Sequence, residues 1–299
     1  MYNGIINLYK PVGFTSHDAV AKLRGIFGQK KIGHTGTLDP DAEGVLPICL
    51  GKATKVCDLL TDRSKTYQAV MLLGRVTDTQ DSSGSILSES DQIPGEKAVR
   101  EMVASFSGEQ MQIPPMYSAL KVNGKKLYEL AREGKTIERK ARKIHIYQIE
   151  IDKIELPRVT MSITCSKGTY IRTLCHDIGA KLGCGACMEH LLRSRVGEFE
   201  LSRTVHIEEL QQAKEEERLS DYLISVDSLF TEYPKGKFYP KYAKYADNGN
   251  RLSIEMLTAL PDLDDKDKIC IYNEEGLFYG IYEFDRENQD FKPVKLFKE

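Results

Sequence analysis

Several features of common protein classes are missing from this 299-residue sequence. It has no run of 18 apolar residues, so no transmembrane helix is expected. Its first residues, MYNGIINLYKPVGFTS, lack a basic stretch followed by a long apolar one, so no secretory signal is expected. A glycine-rich phosphate loop and a dinucleotide-binding fingerprint are both absent, and no nucleotide cofactor is therefore indicated.

The cysteines lack the pattern of a disulfide framework. They number seven, are scattered along the chain, and fall in several cases within apolar periodic segments. Cysteine behaves there as a small hydrophobic residue, which predicts a disulfide-free protein of the cytoplasm. The length allows one large domain, or a large domain followed by a small one.

A complete set of metal ligands is also lacking. Cys184, Cys187 and His190, with Cys175 and His176 before them, are the candidates. A structural zinc site normally takes four ligands from two separated pairs. These residues are all expected on one helical hairpin, and Cys175 lies on an apolar stripe, so packing is favoured over a metal.

Charge is close to balanced overall but unevenly distributed. The net charge of −2 argues against a uniformly basic nucleic-acid binder. Residues 121–143 nevertheless carry nine basic and three acidic side chains. The basic ones are Lys121, Lys125, Lys126, Arg132, Lys135, Arg139, Lys140, Arg142 and Lys143. Taken alone, such a run is typical of a solvated helix surface, although a neutral total can hide a positive face.

Hydrophobic periodicity predicts alternating strands and helices. Residues 5–9 and 65–74 read as strands, and Ser16 reads as the N-cap of a helix that ends near Gly28. Residues 158–166 alternate in polarity, as a half-buried strand does, and a glycine turn and a helix from Ile171 follow.

The last 65 or so residues differ in character from the rest. Residues 268–284 read as two strands around an NEEG turn, and 291–297 as a final strand. This pattern predicts a small β-rich unit at the C-terminus.

The loop GHTGTLDPDAEG, residues 33–44, concentrates carboxylates between glycines. Asp39, Asp41, Glu43 and Gly44 match positions 1, 3, 5 and 6 of an EF-hand loop. Position 12 would be Leu50, however, so the bidentate ligand is missing and calcium is rejected.

The same loop could instead present a nucleophile. Asp39 precedes Pro40, which disfavours helical backbone, and an aspartate held on such a loop can attack carbon if a cation keeps it ionised. Arg172, at the predicted start of a helix, is unfavourable there unless an anion lies near it. A polar surface turn and a solvated arginine remain the alternatives.

Six segments in order resemble one family: KPVGFTSHD (10–18), GHTGTLDPDAEGVLPICLGKATK (33–55), SKTY (64–67), QIPPMYSALKVNGKKLYELAREG (112–134), SKGTYIRTLCHDIG (166–179) and LLRSRVG (191–197). They are similar to the bacterial tRNA pseudouridine synthase B family, in the type 1 subfamily of pseudouridine-55 synthases. The resemblance covers about residues 3–233, and the tail resembles the family's small PUA domain more weakly. One departure is Cys187, where the family often has a histidine.

The resemblance implies roles for individual residues. Asp39 matches the catalytic aspartate and Arg172 the arginine that pairs with it. The residues expected to contact the substrate are His34, Tyr67, Tyr170 and Leu191. Lys10 and Pro11 belong to a motif that supports the catalytic loop. RNA-backbone contacts are expected from Lys121, Lys125, Lys126, Arg139, Lys140, Arg142 and Lys143.

The resemblance also implies the architecture and the reaction. We expect a mixed α/β catalytic domain over 1–233 with a mainly antiparallel sheet, a basic RNA-clasping insertion at 120–145, and a PUA-like RNA-binding domain over 234–299. The expected reaction converts uridine 55 of the tRNA TΨC loop to pseudouridine after base flipping, without cofactor or metal. The expected partner is the tRNA T-arm, with no membrane and no obligate protein partner, and a monomer is expected. The alternative is a tRNA-binding or chaperone module without turnover.

Overall fold

Two sheets organise the chain in a computed structural model that describes residues 1–122, 124–259 and 262–297. The strands are β1 (Gly4–Lys10), β2 (Ile32–His34), β3 (Glu43–Leu50), β4 (Lys65–Leu73), β5 (Arg75–Thr77), β6 (Ile86–Glu89), β7 (Gly108–Gln112), β8 (Lys121–Val122), β9 (Lys125–Lys126), β10 (Arg142–Glu155), β11 (Arg158–Cys165), β12 (Ala186–Val196), β13 (Phe199–Glu200), β14 (Lys235–Phe238), β15 (Leu252–Ser253), β16 (Leu257–Ala259), β17 (Lys268–Tyr272), β18 (Phe278–Asp285) and β19 (Asp290–Leu296). The α-helices are α1 (Ser16–Phe27), α2 (Cys57–Asp62), α3 (Glu96–Ala104), α4 (Leu127–Arg132), α5 (Ile171–Leu182), α6 (Ile207–Glu215) and α7 (Ala243–Asp247).

The larger sheet has the strand order β1-β3-β12-β4-β11-β10-β7, with β2 paired to β3 and β13 to β12. Within the described residues its pairs are antiparallel, apart from the parallel contact between β3 and β12. The predicted fold class, a mixed and mainly antiparallel sheet with helices, is confirmed. The parallel contact sets the start of β3, and hence the end of the carboxylate loop, beside β12.

The polarity alternation of β11 produces the burial it predicts. Four alternate side chains are at most 1% exposed: Val159, Met161, Ile163 and Cys165. They join one apolar core with the buried stripe of α5, namely Ile171, Leu174, Cys175 and Ile178. The strand, the turn after it and α5 therefore form a rigid unit that fixes the first turn of the helix.

The start of α1 differs from the prediction by one residue. Thr15, and not Ser16, is the N-cap: its hydroxyl accepts the Asp18 N–H at 3.0 Å, and the Asp18 carboxylate accepts the Thr15 N–H at 2.9 Å. This capping box leaves the buried Ser16 hydroxyl available to accept the Leu38 N–H at 2.9 Å. The first turn of α1 thus anchors the carboxylate loop.

The helical hairpin predicted around Cys187 and His190 is wrong, because both residues lie on β12. This strand pairs with β3 on one side and β4 on the other, so sheet pairing overrides the local pattern. Cys184 lies in the turn before it, and Cys187 is completely buried. Among the residues that the structure covers, no group of three or more His, Cys, Asp or Glu side chains is arranged to hold a metal ion.

The smaller sheet has the order β15-β19-β18-β17-β14-β16 and contains the strands predicted for the tail. It shares an apolar cluster with the larger sheet. The cluster includes Ile5, Val45, Leu229 and Phe230 from the first part of the chain, and Cys270, Tyr272, Ile281 and Phe297 from the second. The two sheets are therefore coupled through packing. No helix in the described part of the chain is long and apolar enough to cross a membrane.

Phe230→Ala tests this coupling. Phe230 is 4% exposed and packs near Tyr233 and Phe278. Its truncation is expected to lower the free energy of unfolding by about 3–5 kcal/mol, as for a buried phenylalanine. Urea denaturation measures the change, and Tyr245→Ala, at a half-exposed position, is the control with an expected change within about 0.5 kcal/mol. Equal midpoints for the two variants would contradict the shared core.

Candidate active site

A cavity of about 330 Å³ opens between the carboxylate loop, β4 and the start of α5. Its walls include five of the predicted site residues: Asp39, Tyr67, Tyr170, Arg172 and Leu191. Four distant segments of the chain supply these side chains. Lys10, Pro11 and His34 lie outside the cavity wall, and the structure gives them other contacts.

Arg172 is the central group of the cavity and is 6% exposed at its side chain. Its Nε lies 3.0 Å from Asp39 Oδ2, and its Nη2 lies 3.3 Å from Asp39 Oδ1. Nη1 donates to Asp81 Oδ2 at 3.2 Å and to the Thr79 carbonyl at 3.0 Å, while Nη2 donates to the Tyr117 carbonyl at 2.8 Å. One buried guanidinium is therefore shared by two carboxylates and two carbonyls.

Two opposing effects act on the Asp39 carboxyl. Burial raises its pKa and is the larger effect, while the Arg172 guanidinium lowers it. The neighbouring Asp81 and Asp41 carboxylates raise it further. The net direction is upward, so Arg172 offsets part of the cost of an anion here. An anionic Asp39 is consequently lost, as the pH falls, at a higher pH than an ordinary aspartate.

Asp81 was not singled out in the sequence, where 77–84 reads as a plain loop. Its Oδ1 accepts hydrogen bonds from the Thr79 hydroxyl at 2.7 Å and the Ser83 hydroxyl at 2.6 Å. Its Oδ2 is then directed at Arg172. The sequence signal that could have identified Asp81 is the Thr-x-Asp-x-Ser spacing. The hydroxyls on either side of such an aspartate can hydrogen-bond its carboxylate and order the turn.

The carboxylate loop is held by a buried lysine. Lys10 is fully buried, and its Nζ donates to the carbonyls of Pro11 at 2.8 Å, Phe14 at 2.5 Å and Pro40 at 3.3 Å. Burial lowers the pKa of Lys10 to about 8. The ammonium thus fixes the carbonyl of Pro40, the residue after Asp39, and Pro11 contributes through its own carbonyl.

Arg193, on β12, is a third buried cation after Arg172 and Lys10, and the sequence did not reveal its role. It is 1% exposed and donates to the Val45 carbonyl at 2.7 Å and the Gly36 carbonyl at 3.3 Å. It also hydrogen-bonds Tyr67, its partner across β4 and β12. Arg193 therefore ties both ends of the carboxylate loop to the tyrosine of the cavity, whose pKa burial raises.

Gly44 makes this arrangement possible. Its φ is +106°, and an added Cβ would lie 2.3 Å from the Arg193 carbonyl oxygen. A side chain at this position would clash with β12 and is also disfavoured by the backbone conformation.

His34 lies on β2 beside the loop. Its Nδ1 accepts the Gly36 N–H at 3.3 Å, and its ring meets His17 edge-on at 5.3 Å. Burial, with His17 and Arg193 nearby, lowers the pKa of His34 to about 4. The ring is therefore neutral at pH 7, with its proton on Nε2.

Glu43 closes the loop. Its carboxylate accepts the Tyr9 hydroxyl at 2.6 Å and lies 2.9 Å from His190 Nε2. Glu43 thus anchors the end of the loop, at the first residue of β3. The contact also gives His190 a partner other than a metal.

The basic segment divides into two parts. Lys121, Lys125 and Lys126 lie on the β8–β9 hairpin and Lys140 on the chain after α4; all are exposed except Lys126, which is half-buried and donates to the Tyr128 hydroxyl at 3.1 Å. Arg139 is half-buried and donates to the Pro114 carbonyl at 3.1 Å. Arg142 and Lys143 belong to the core strand β10, and Lys143 pairs with Glu109 at 2.6 Å.

Comparisons with known proteins agree along the chain. Residues 24–171 match the sequence family "TruB family pseudouridylate synthase (N terminal domain)", and residues 172–231 match "tRNA pseudouridylate synthase B C-terminal domain". Curated relatives named tRNA pseudouridine synthase B include those of Lachnoclostridium phytofermentans, 50% identical over 99% of both chains, and Clostridium acetobutylicum, 46% identical over 98% of this chain and 99% of the relative.

Similar solved structures include chains of H/ACA ribonucleoprotein complexes. One is titled "Structure of H/ACA RNP bound to a substrate RNA containing 2'-deoxyuridine", with a TM-score of 0.72 at 25% identity, covering 99% of this chain and 85% of that one. A chain of an archaeal box H/ACA sRNP complex has a TM-score of 0.70 at 25% identity, covering 99% and 86%. With sequence relatives that match over almost the whole length, this chain belongs to the TruB family of pseudouridylate synthases.

Proposed function

We propose that this protein isomerises uridine to pseudouridine in tRNA, at position 55 of the TΨC loop. The observation that carries the proposal is the Asp39–Arg172 pair, with both side chains in the wall of one cavity beside Tyr67. The cavity volume of about 330 Å³ falls at the lower end of small-ligand sites. The family and its curated relatives support this reaction.

The target base must leave the folded RNA loop to reach such a cavity. Flipping costs a few kcal/mol of lost stacking, and an aromatic face recovers about 1–3 kcal/mol per base. Tyr67 supplies that face, and Tyr170 and Leu191 complete the base-contacting walls. His34, a neutral residue of the same loop, would contact the RNA near the flipped nucleotide.

The reaction conserves atoms. The bond from N1 to C1' of the ribose breaks, a bond from C5 to C1' forms, and the C5 proton is replaced by one on N1. Three roles for Asp39 fit this sequence of bonds: attack on C1', addition to the base, or removal of a ribose proton. Each requires the anion, which Arg172 favours, so Asp39 and Arg172 are the proposed catalytic residues.

The basic segment and the tail would bind the body of the tRNA. We propose that 120–145 clasps the T-arm, with Lys121, Lys125 and Lys140 at phosphates, and that 1–233 and 234–299 act as catalytic and RNA-binding domains. Lys235, Lys237, Lys241 and Lys244 suit a second RNA contact. Such contacts supply affinity without sequence readout. The protein would act as a monomer with no obligate protein partner.

The alternative function is that of an RNA-binding module without catalytic turnover. Binding alone does not require a buried arginine shared between Asp39 and Asp81, which is costly to assemble unless the anion has a use. The geometry therefore favours the enzyme.

Asp39→Asn separates these two functions. The variant removes the anion but keeps the shape of the side chain, so conversion of a uridine-55 tRNA transcript should fall by at least about 10²–10⁴-fold. Its Kd for tRNA should stay within about tenfold, or 1.4 kcal/mol. Asp41→Asn, in the same loop but outside the cavity wall, is the matched control and should remain active. Wild-type protein that binds tRNA without converting it would refute the enzyme.

Charge removal tests the clasp. Lys121, Lys125 and Lys140 replaced together by Gln should weaken tRNA binding and reduce the slope of log K against log salt by about two to three units. The slope is measured by filter binding between low and physiological salt. The same change at three exposed lysines outside both proposed RNA contacts, Lys22, Lys97 and Lys153, is the control. An identical slope for both triple variants would remove the segment from the interface.

A further inference from the structure

Gln112, the last residue of β7, makes an unusual contact with the cavity wall. It is 4% exposed, and its side-chain amide reaches the main chain of Tyr170 twice. Its Oε1 accepts the Tyr170 N–H at 2.8 Å, and its Nε2 donates to the Tyr170 carbonyl at 3.0 Å. The side-chain amide therefore pairs with the backbone N–H and C=O of Tyr170, as the backbone of a neighbouring strand would. The donor and acceptor on Tyr170 also determine which way the amide points.

The contact supplies a hydrogen-bond acceptor at the N-terminus of α5, where the helix has no side-chain cap. Tyr170 is the N-cap of this helix, and its side chain makes no capping hydrogen bond. Helix N-termini leave N–H groups without intrahelical partners, and buried ones are costly if unsatisfied. The Tyr170 carbonyl also accepts the Leu174 N–H at 3.0 Å, so Gln112 holds the peptide on which the first helical turn is built.

The segment that follows Gln112 makes a second contact with α5. Gln112 is the register partner of Arg142, so the segment 113–141 leaves the sheet and returns to it at this pair. Close to its start, the Tyr117 carbonyl accepts Arg172 Nη2 at 2.8 Å. Gln112 and Tyr117, which precede the basic segment, therefore contact α5 at its N-cap Tyr170 and at Arg172 in its first turn.

We propose that Gln112 is a positioning residue for the isomerisation: its amide fixes the Tyr170 peptide, and thereby the side chains of Tyr170 and Arg172 in the cavity. The inference rests on the proposed function. Gln112 lies outside the cavity wall and acts through its neighbours. Displacement of a catalytic group by about 1 Å can cost about 10²-fold in rate, and two hydrogen bonds to the backbone on either side of the Tyr170 Cα limit such displacement.

Two substitutions separate the contributions of the amide. Gln112→Met keeps the approximate shape and loses both hydrogen bonds. Gln112→Glu keeps the acceptor for the Tyr170 N–H, but it places a carboxylate oxygen against the Tyr170 carbonyl. When protonated, that glutamic acid can donate to the carbonyl and restore the second bond. Gln110→Met, on the same strand and half-buried, is the matched control.

The measurement is the single-turnover rate of pseudouridine formation with saturating enzyme, alongside tRNA Kd and circular dichroism. Gln112→Met should slow turnover by about 10–100-fold, while Kd changes by less than about threefold. Gln110→Met should match the wild type. For Gln112→Glu, the rate relative to the wild type should rise as the pH falls, which a purely structural role would not produce.

The outcomes distinguish this inference from the function beneath it. A wild type that never converts uridine removes the proposed function. A converting wild type with an equally fast Gln112→Met overturns the positioning role alone, and so does a loss confined to Kd. If Gln112→Met fails to fold, the pH dependence of Gln112→Glu decides: a constant ratio to the wild type overturns the proposal.

Discussion

The site depends on one buried arginine that serves two carboxylates. A guanidinium presents five N–H donors in a rigid plane, and the described residues around Arg172 supply acceptors from Asp39, Asp81, Thr79 and Tyr117. A lysine could not reach this set, because an ammonium is a compact charge with three donors. The arrangement brings three segments to the first turn of α5: the carboxylate loop, the 77–84 turn and Tyr117, which precedes the basic segment.

The loop that carries Asp39 is held mainly through its carbonyls. Lys10 and Arg193 are buried and donate to main-chain oxygens on either side of Asp39, at Pro40, Gly36 and Val45. Buried cations must find hydrogen-bond partners, and carbonyls provide them without neutralising the charge. Arg172 and Lys10 both lower the pKa of Asp39, and so offset part of the rise that burial causes. Gln112 likewise holds main-chain groups through a buried side chain: from β7 it hydrogen-bonds the N–H and the carbonyl of Tyr170.

The sequence predicted those parts of the structure whose signals are local. The alternation of β11, the helix from Ile171 and the strands of the tail follow from periodicity, and all are present. The pairing of Asp39 with Arg172 was expected only from the resemblance to the family, because the residues alone left a surface turn and a solvated arginine as alternatives. The helical hairpin predicted around Cys187 and His190 was wrong, because these residues lie on β12, whose partners β3 and β4 are distant in sequence.

Asp81, Arg193 and Gln112 escaped prediction for a related reason. Each owes its importance to a contact with a segment far along the chain: Asp81 with Arg172, Arg193 with the carboxylate loop, and Gln112 with Tyr170. No periodicity encodes such contacts. A buried polar side chain, once the fold is known, identifies them because its hydrogen bonds must be satisfied.

The pH dependence of the single-turnover rate tests the shared arginine most directly. Burial raises the pKa of Asp39, Arg172 lowers it and Asp81 raises it. The anion is the reactive form in the proposed mechanism. The acid limb of the profile should therefore move to higher pH in Arg172→Lys, where the paired guanidinium contacts to Asp39 are lost. It should move to lower pH in Asp81→Asn, where a neighbouring negative charge is removed. Profiles in which both variants keep the wild-type acid limb and differ only in height would contradict this account.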